Sequence, residues 1–103
     1  MRTAEVYVNG HLAGLLTEND NKRYSFEYLL NYSSASVSYT MPVIQRRFNF
    51  EIFPPFFEGL LPEGYNLDAM LKKLKIDKND YFSQLIAVGK DMVGDVTVKS
   101  VEK

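Results

Sequence analysis

Few residues in this sequence are of types that do chemistry, and their spacing does not bring them together. His11 is the single histidine and directly follows an Asn-Gly pair. A metal site would need more histidines, cysteines or a carboxylate cluster, and the chain has no cysteine. His11 is therefore expected on an exposed strand. Glu58 and Glu63 flank a Leu-Leu-Pro turn and are of the type that does acid–base work. Neither has a partner nearby in sequence, and Glu63 equally suits the start of a helix. Asp91 and Asp95 flank a Met-Val-Gly stretch, where turn chemistry accounts for them. Gly89-Lys90 lacks the spacing of a phosphate-cradling loop. Ser33, Ser34 and Ser36 lack the setting of a nucleophile elbow. The expectation is no catalytic residue, no metal, no cofactor and no enzyme.

What does stand out is residues 53–66, FPPFFEGLLPEGYN, which pack four aromatics, three prolines, two glycines and two glutamates together. Such a stretch suits a core corner, an active-site loop or a docking surface. Phe56, Phe57, Leu60 and Leu61 suit a buried corner shaped by the prolines. Tyr65 follows Pro-Glu-Gly on an expected exposed turn, where a tyrosine makes a good interface anchor because it offers area with few rotatable bonds. The candidate partner-binding residues are Phe57, Glu58, Leu61, Pro62, Glu63, Gly64 and Tyr65.

The elements that must position this stretch follow from periodicity. Ala4 to Val8 alternates as a strand, Asn9-Gly10 is a strong hairpin signal, and His11 to Thr17 returns. Tyr24, Phe26 and Tyr28 alternate with Ser25 and Glu27, giving a third strand with one aromatic face. Val37 and Tyr39 alternate with Ser36, Ser38 and Thr40, predicting a fourth strand that ends at Met41-Pro42. Residues 43–50 fit either a connecting loop or an irregular strand. Pro55 suits the first position of a short helix. Leu67, Met70, Leu71 and Leu74 recur at helical spacing, with Lys72, Lys73 and Lys75 in the last turn. A further helix carries Tyr81, Phe82, Leu85, Ile86 and Val88, capped by Asp77 or Asn79 and stopped at Gly89. Gly94 opens a last strand through Val96 and Val98. The fold class is α+β: a small antiparallel, partly barrel-like sheet of about five strands with two or three short helices on one side.

The chain has 103 residues, 46% of them hydrophobic and 24% charged, which suits a single globular domain over 1–103. It has no run of apolar residues long enough to span a membrane and no secretory leader, so a cytoplasmic location is expected. A net charge of −1 speaks against direct nucleic-acid binding, which needs a concentrated basic face. Arg46-Arg47 and Lys72-Lys73 read as solvated pairs.

Four segments in order resemble the N-terminal subdomain of HipA-type serine/threonine kinase toxins. They are Val-Tyr-Val-Asn-Gly-His-Leu-Ala-Gly-Leu-Leu (6–16), Ser-Val-Ser-Tyr-Thr-Met-Pro (36–42), Phe-Phe-Glu-Gly-Leu-Leu-Pro-Glu-Gly (56–64) and Val-Gly-Lys-Asp-Met-Val-Gly-Asp-Val (88–96). The third is the most specific. The chain carries no ATP-binding or catalytic-loop motif of the kinase core, so it resembles a free-standing version, as in the small HipS-type antitoxins of tripartite HipBST systems. The resemblance implies an antitoxin that binds a HipT-like serine/threonine kinase toxin. It also implies a HipB-like helix-turn-helix protein as the DNA-contacting member of a ternary complex. A non-inhibitory accessory subunit is the alternative. So is an unrelated binding module that uses the Tyr24, Phe26 and Tyr28 face.

Overall fold

The computed structural model describes residues 1–89 and 94–101; Lys90 and Asp91 lie outside the described residues. Strands β1 (Arg2–Val8) and β2 (His11–Glu18) form the expected hairpin. Asn9 and Gly10 take positive φ values of 52° and 81°, the combination that lets a tight turn follow the right-handed twist of its strands. Strand β3 (Tyr24–Tyr28) adds to β2, and β5 (Val96–Ser100) adds to β1. With β4 (Arg47–Phe50) the sheet has the order β4-β3-β2-β1-β5, antiparallel throughout. It is an open sheet: β4 and β5 are its two edges and do not close a barrel.

One face of the sheet is the core. Ala4, Val6, Val8, Leu16, Tyr24, Phe26, Tyr28, Phe48, Val96 and Val98 are all buried there. The helices α1 (Pro55–Glu58), α2 (Gly64–Leu74) and α3 (Tyr81–Val88) lie to that side. The aromatic face of β3 is thus core, which removes the surface that a ligand module built on Tyr24, Phe26 and Tyr28 would need.

The fourth strand is not where alternation placed it. Residues 36–40 form only an isolated bridge between Ser38 and Met41, and the strand comes from the ambiguous stretch after Pro42. Side chains have taken over the backbone groups that a ladder would have used. The Tyr28 hydroxyl accepts from Val37 N–H at 2.9 Å and donates to the Met41 carbonyl. Ser36 Oγ accepts from Val43 N–H at 2.9 Å, and the Tyr32 hydroxyl donates to the Ala35 carbonyl at 2.5 Å. Arg46 completes the loop. Its guanidinium donates to the carbonyls of Leu29 at 2.6 Å, Tyr32 at 2.7 Å and Leu30 at 2.9 Å. Arg46 is therefore a structural clamp and not half of a solvated pair, whereas Arg47 lies exposed against Glu27 at 3.0 Å.

Helix α3 is capped by Asp80, not by Asp77 or Asn79. Its carboxylate accepts from Ser83 N–H at 3.1 Å. The same carboxylate receives Arg2 Nη2 at 2.9 Å, while Arg2 Nε donates to Glu18 at 2.7 Å and Arg2 Nη1 to Ser83 Oγ at 2.8 Å. The guanidinium also lies 4.9 Å from the centre of the Phe82 ring. One arginine thus fastens the start of α3 to β1 and β2.

The hydrogen bond from Arg2 holds the Glu18 carboxyl below its ordinary value. At Asp80 burial opposes ionisation, but the bonds from Arg2 and Ser83 outweigh it, so this carboxyl is lowered as well. Both shifts add stability that is present above the ordinary carboxylate pKa of about 4 and is lost as pH falls through the lowered values. The melting temperature is therefore expected to drop in acid below about pH 4. Arg2→Met should shrink that acid-dependent drop and cost about 1 kcal/mol at neutral pH, a small value because Arg2 is 41% exposed. Thermal melts of both proteins across pH check this.

Candidate functional site

Residues 53–66 divide into a buried foot and a presented surface. Phe53 packs edge-on to Tyr24 at 5.2 Å between ring centres and lies 5.6 Å from Tyr81 of α3. Pro55 opens α1, where its fixed φ suits the first turn and its missing N–H costs nothing. That single turn aims Phe57 at the sheet, 6.0 Å from Phe26 and 0% exposed. Leu61 is buried too, while Phe56 and Leu60 are half-buried against the same cluster. Phe57 and Leu61 therefore support the segment from beneath and present no surface in this conformation.

The chain then leaves the core. Glu63 is extended, and Gly64 takes φ +57°, a left-handed conformation that admits glycine far more readily than other residues. That turn starts α2 earlier than the apolar spacing suggests, at Gly64 and not at Leu67. Tyr65 consequently stands in the first turn of a helix and is 86% exposed. Glu58, Glu63 and Gly64 are exposed beside it, and Pro62 is half-buried. Of the seven candidate residues, Glu63, Gly64 and Tyr65 form one exposed run after half-buried Pro62, and Glu58 is exposed on the other side of buried Leu61.

Helix α2 has the amphipathic spacing the sequence predicts, yet none of its residues is buried. Its apolar stripe of Leu67, Met70 and Leu71 is only half-covered, and Leu74 is 49% exposed. Periodicity shows that a helix has an apolar face but not what covers it, so nothing in the spacing of these residues signals that the stripe lies open. Lys72 and Lys73 are exposed in its last turn, as expected from the helix dipole. Two further exposed apolar side chains, Tyr39 and Leu30, lie in the loop that Arg46 clamps.

The arrangement offers apolar area and little reactivity. His11 is exposed at the start of β2. Among the described residues, no group of three or more His, Cys, Asp or Glu is placed to hold a metal ion. Among the same residues, Glu58 and Glu63 neither pair with each other nor with a cation. Among the described residues, no helix is long and apolar enough to cross a membrane.

Fold and surface together define an α+β domain distinguished by an exposed tyrosine and an open helical stripe on a proline-shaped foot. More narrowly, the chain belongs to the HipA N-terminal domain family, whose sequence profile matches residues 4–99. A solved structure described as the N-terminal domain of HipA toxin superposes with a TM-score of 0.80 at 29% identity, covering 100% of this chain and 95% of that one. An uncharacterized protein of Haemophilus influenzae is 30% identical over 99 residues, which span 96% of this chain and 92% of the relative.

Foot and surface should respond oppositely to truncation. Phe57→Ala removes a fully buried ring and is expected to cost about 3–5 kcal/mol. Tyr65→Ala should change stability by no more than about 0.5 kcal/mol. Urea denaturation of both variants measures the contrast, and equal losses would show that Tyr65 is part of the fold.

Proposed function

We propose that this protein is a HipS-like antitoxin that binds a HipT-type serine/threonine kinase toxin and inhibits it by direct contact. The observation that carries the proposal is the exposure of Tyr65 and of the α2 stripe. A domain of the HipA N-terminal family leaves open an aromatic anchor in the first turn of α2 and, on the opposite side of that helix, a half-covered apolar stripe that its own core does not use. The near-complete coverage of the Haemophilus influenzae relative supports a version of this domain that acts without a kinase core on the same chain.

In this account Tyr65 is the anchor, Glu58 and Glu63 flank it as charged neighbours, and Pro62 and Gly64 fix the angle at which it is presented. Phe57 and Leu61 hold the segment in place from within. The protein performs no chemistry itself. It seats Tyr65 near the kinase active site, where it either fills the cleft or holds the kinase in an inactive conformation. A HipB-like helix-turn-helix protein supplies the DNA contacts of a ternary complex in the cytoplasm, in keeping with a net charge of −1 on this chain.

The test is phosphoryl transfer by the cognate truncated kinase with and without one equivalent of this protein. The expected result is loss of activity together with a stable complex on sizing. Tyr65→Ala should weaken inhibition by about tenfold or more, as expected for an interface anchor. A complex with full kinase activity would make the protein an accessory subunit, and full inhibition by Tyr65→Ala would remove the anchor.

A further inference from the structure

The two edges of the sheet are not equally protected. At β5 the outward-facing N–H of Val98 is taken by the Gly89 carbonyl at the end of α3, at 3.0 Å. At β4, among the described residues, no comparable backbone bond caps the strand. Tyr28 N–H donates to the Arg46 carbonyl at 2.8 Å, which fixes the phase of the β3–β4 ladder: residues 46, 48 and 50 bond inward. Within β4 the backbone groups of Arg47 and Asn49 therefore point away from the sheet, and Glu51 follows in the bend that ends the strand. Among the described residues their only recorded engagement is a 3.3 Å bond from Gln45 Nε2 to the Arg47 carbonyl.

Charged edges ordinarily discourage pairing. Here the order of charges along Arg47-Phe48-Asn49-Phe50-Glu51 is self-complementary. An antiparallel copy related by a two-fold axis at Asn49 sets Arg47 opposite Glu51 twice. In that register the outward-facing groups of Asn49 meet their counterparts directly, and ladder pairing of Arg47 with Glu51 requires the bend at Glu51 to extend. Phe48 comes opposite Phe50 on the core face, and the half-buried Phe50 and the 69% exposed Ile52 gain cover.

The rows on either side agree. Glu27 already pairs with Arg47 at 3.0 Å, and Arg23 approaches Glu51 at 3.9 Å. Across the junction the order becomes Glu27, Arg47, Glu51 of the second copy and Arg23 of the second copy, alternating in sign. A slip of the pairing by two residues in each chain sets Arg47 opposite Arg47 or Glu51 opposite Glu51. Only the register centred on Asn49 sets these opposite charges against each other.

We infer that β4 is a homotypic interface through which two copies of this chain join their sheets edge to edge. Nothing in this inference depends on a kinase partner, so its fate and that of the proposed function are separate.

The experiment is sedimentation equilibrium of the purified chain in a concentration series up to about 1 mM, at low and high salt. The expected species has twice the 11.8 kDa chain mass, and salt weakens it. Arg47→Glu alone sets acid against acid at both junctions, and Glu51→Arg alone sets base against base. Each should weaken self-association by about tenfold or more. Mixing the two variants restores opposite charges at both junctions and should restore the dimer, a rescue that misfolded variants would not give. A monomer at every concentration would overturn the inference, as would a single variant that associates normally or a mixture that stays monomeric.

Discussion

The contact on which the candidate surface depends is the burial of Phe57 against Phe26. A helix of one turn cannot hold itself in water, because nucleation fixes several residues for little hydrogen bonding. Helix α1 exists because Pro55 sets its first φ and because Phe57 finds a slot above the aromatic face of β3. Phe53 repeats this one turn earlier, between Tyr24 and Tyr81. Two rings thus bind an otherwise irregular segment to both the sheet and α3. With the foot fixed, Pro62 and Gly64 can send the chain outward at a defined angle. The exposed Tyr65 thus follows a segment anchored by rings that are themselves buried.

A second layer of order comes from polar side chains that substitute for secondary structure. Tyr28, Tyr32, Ser36 and Arg46 bond the backbone of the long connection between β3 and β4. Tyr28 also stacks on Tyr32 with nearly parallel rings, 4° apart. Arg46 offsets its positive φ of 72° with bonds to the carbonyls of Leu29, Leu30 and Tyr32. Arg2 does similar work at the opposite end of β3, where it links Glu18 to Asp80. Burial beside Glu18 pushes the Tyr24 hydroxyl up to about 12, so it stays protonated and can donate to that carboxylate at 3.2 Å.

The local parts of this architecture were legible in the sequence. The Asn9-Gly10 turn, the alternation of Tyr24 to Tyr28 and the helical spacing of Leu67 to Leu74 each depend on near neighbours, and each is realised. What the sequence concealed depends on distant partners. Val37 and Tyr39 alternate like a strand, but the Tyr28 hydroxyl claims the backbone there. Arg46 looks like a surface charge until the carbonyls of Leu29 and Tyr32 are beside it. Asp80 outcompetes Asp77 and Asn79 as the cap because Arg2 can reach it. At the candidate site, the exposure of Tyr65 followed from its turn residues. The open stripe of α2 did not, because a pattern of leucines does not reveal whether its own fold covers it.

The pairing of β5 with β1 has a consequence for how this unit can be carried within proteins. Ala4 lies opposite Ser100, and Val101 N–H donates to the Thr3 carbonyl at 3.2 Å. The polypeptide therefore enters and leaves at neighbouring points on the sheet. A unit whose first and last described strands are neighbours joins the rest of any longer chain at one end of its sheet, so what is attached there need not part the strands or disturb the core.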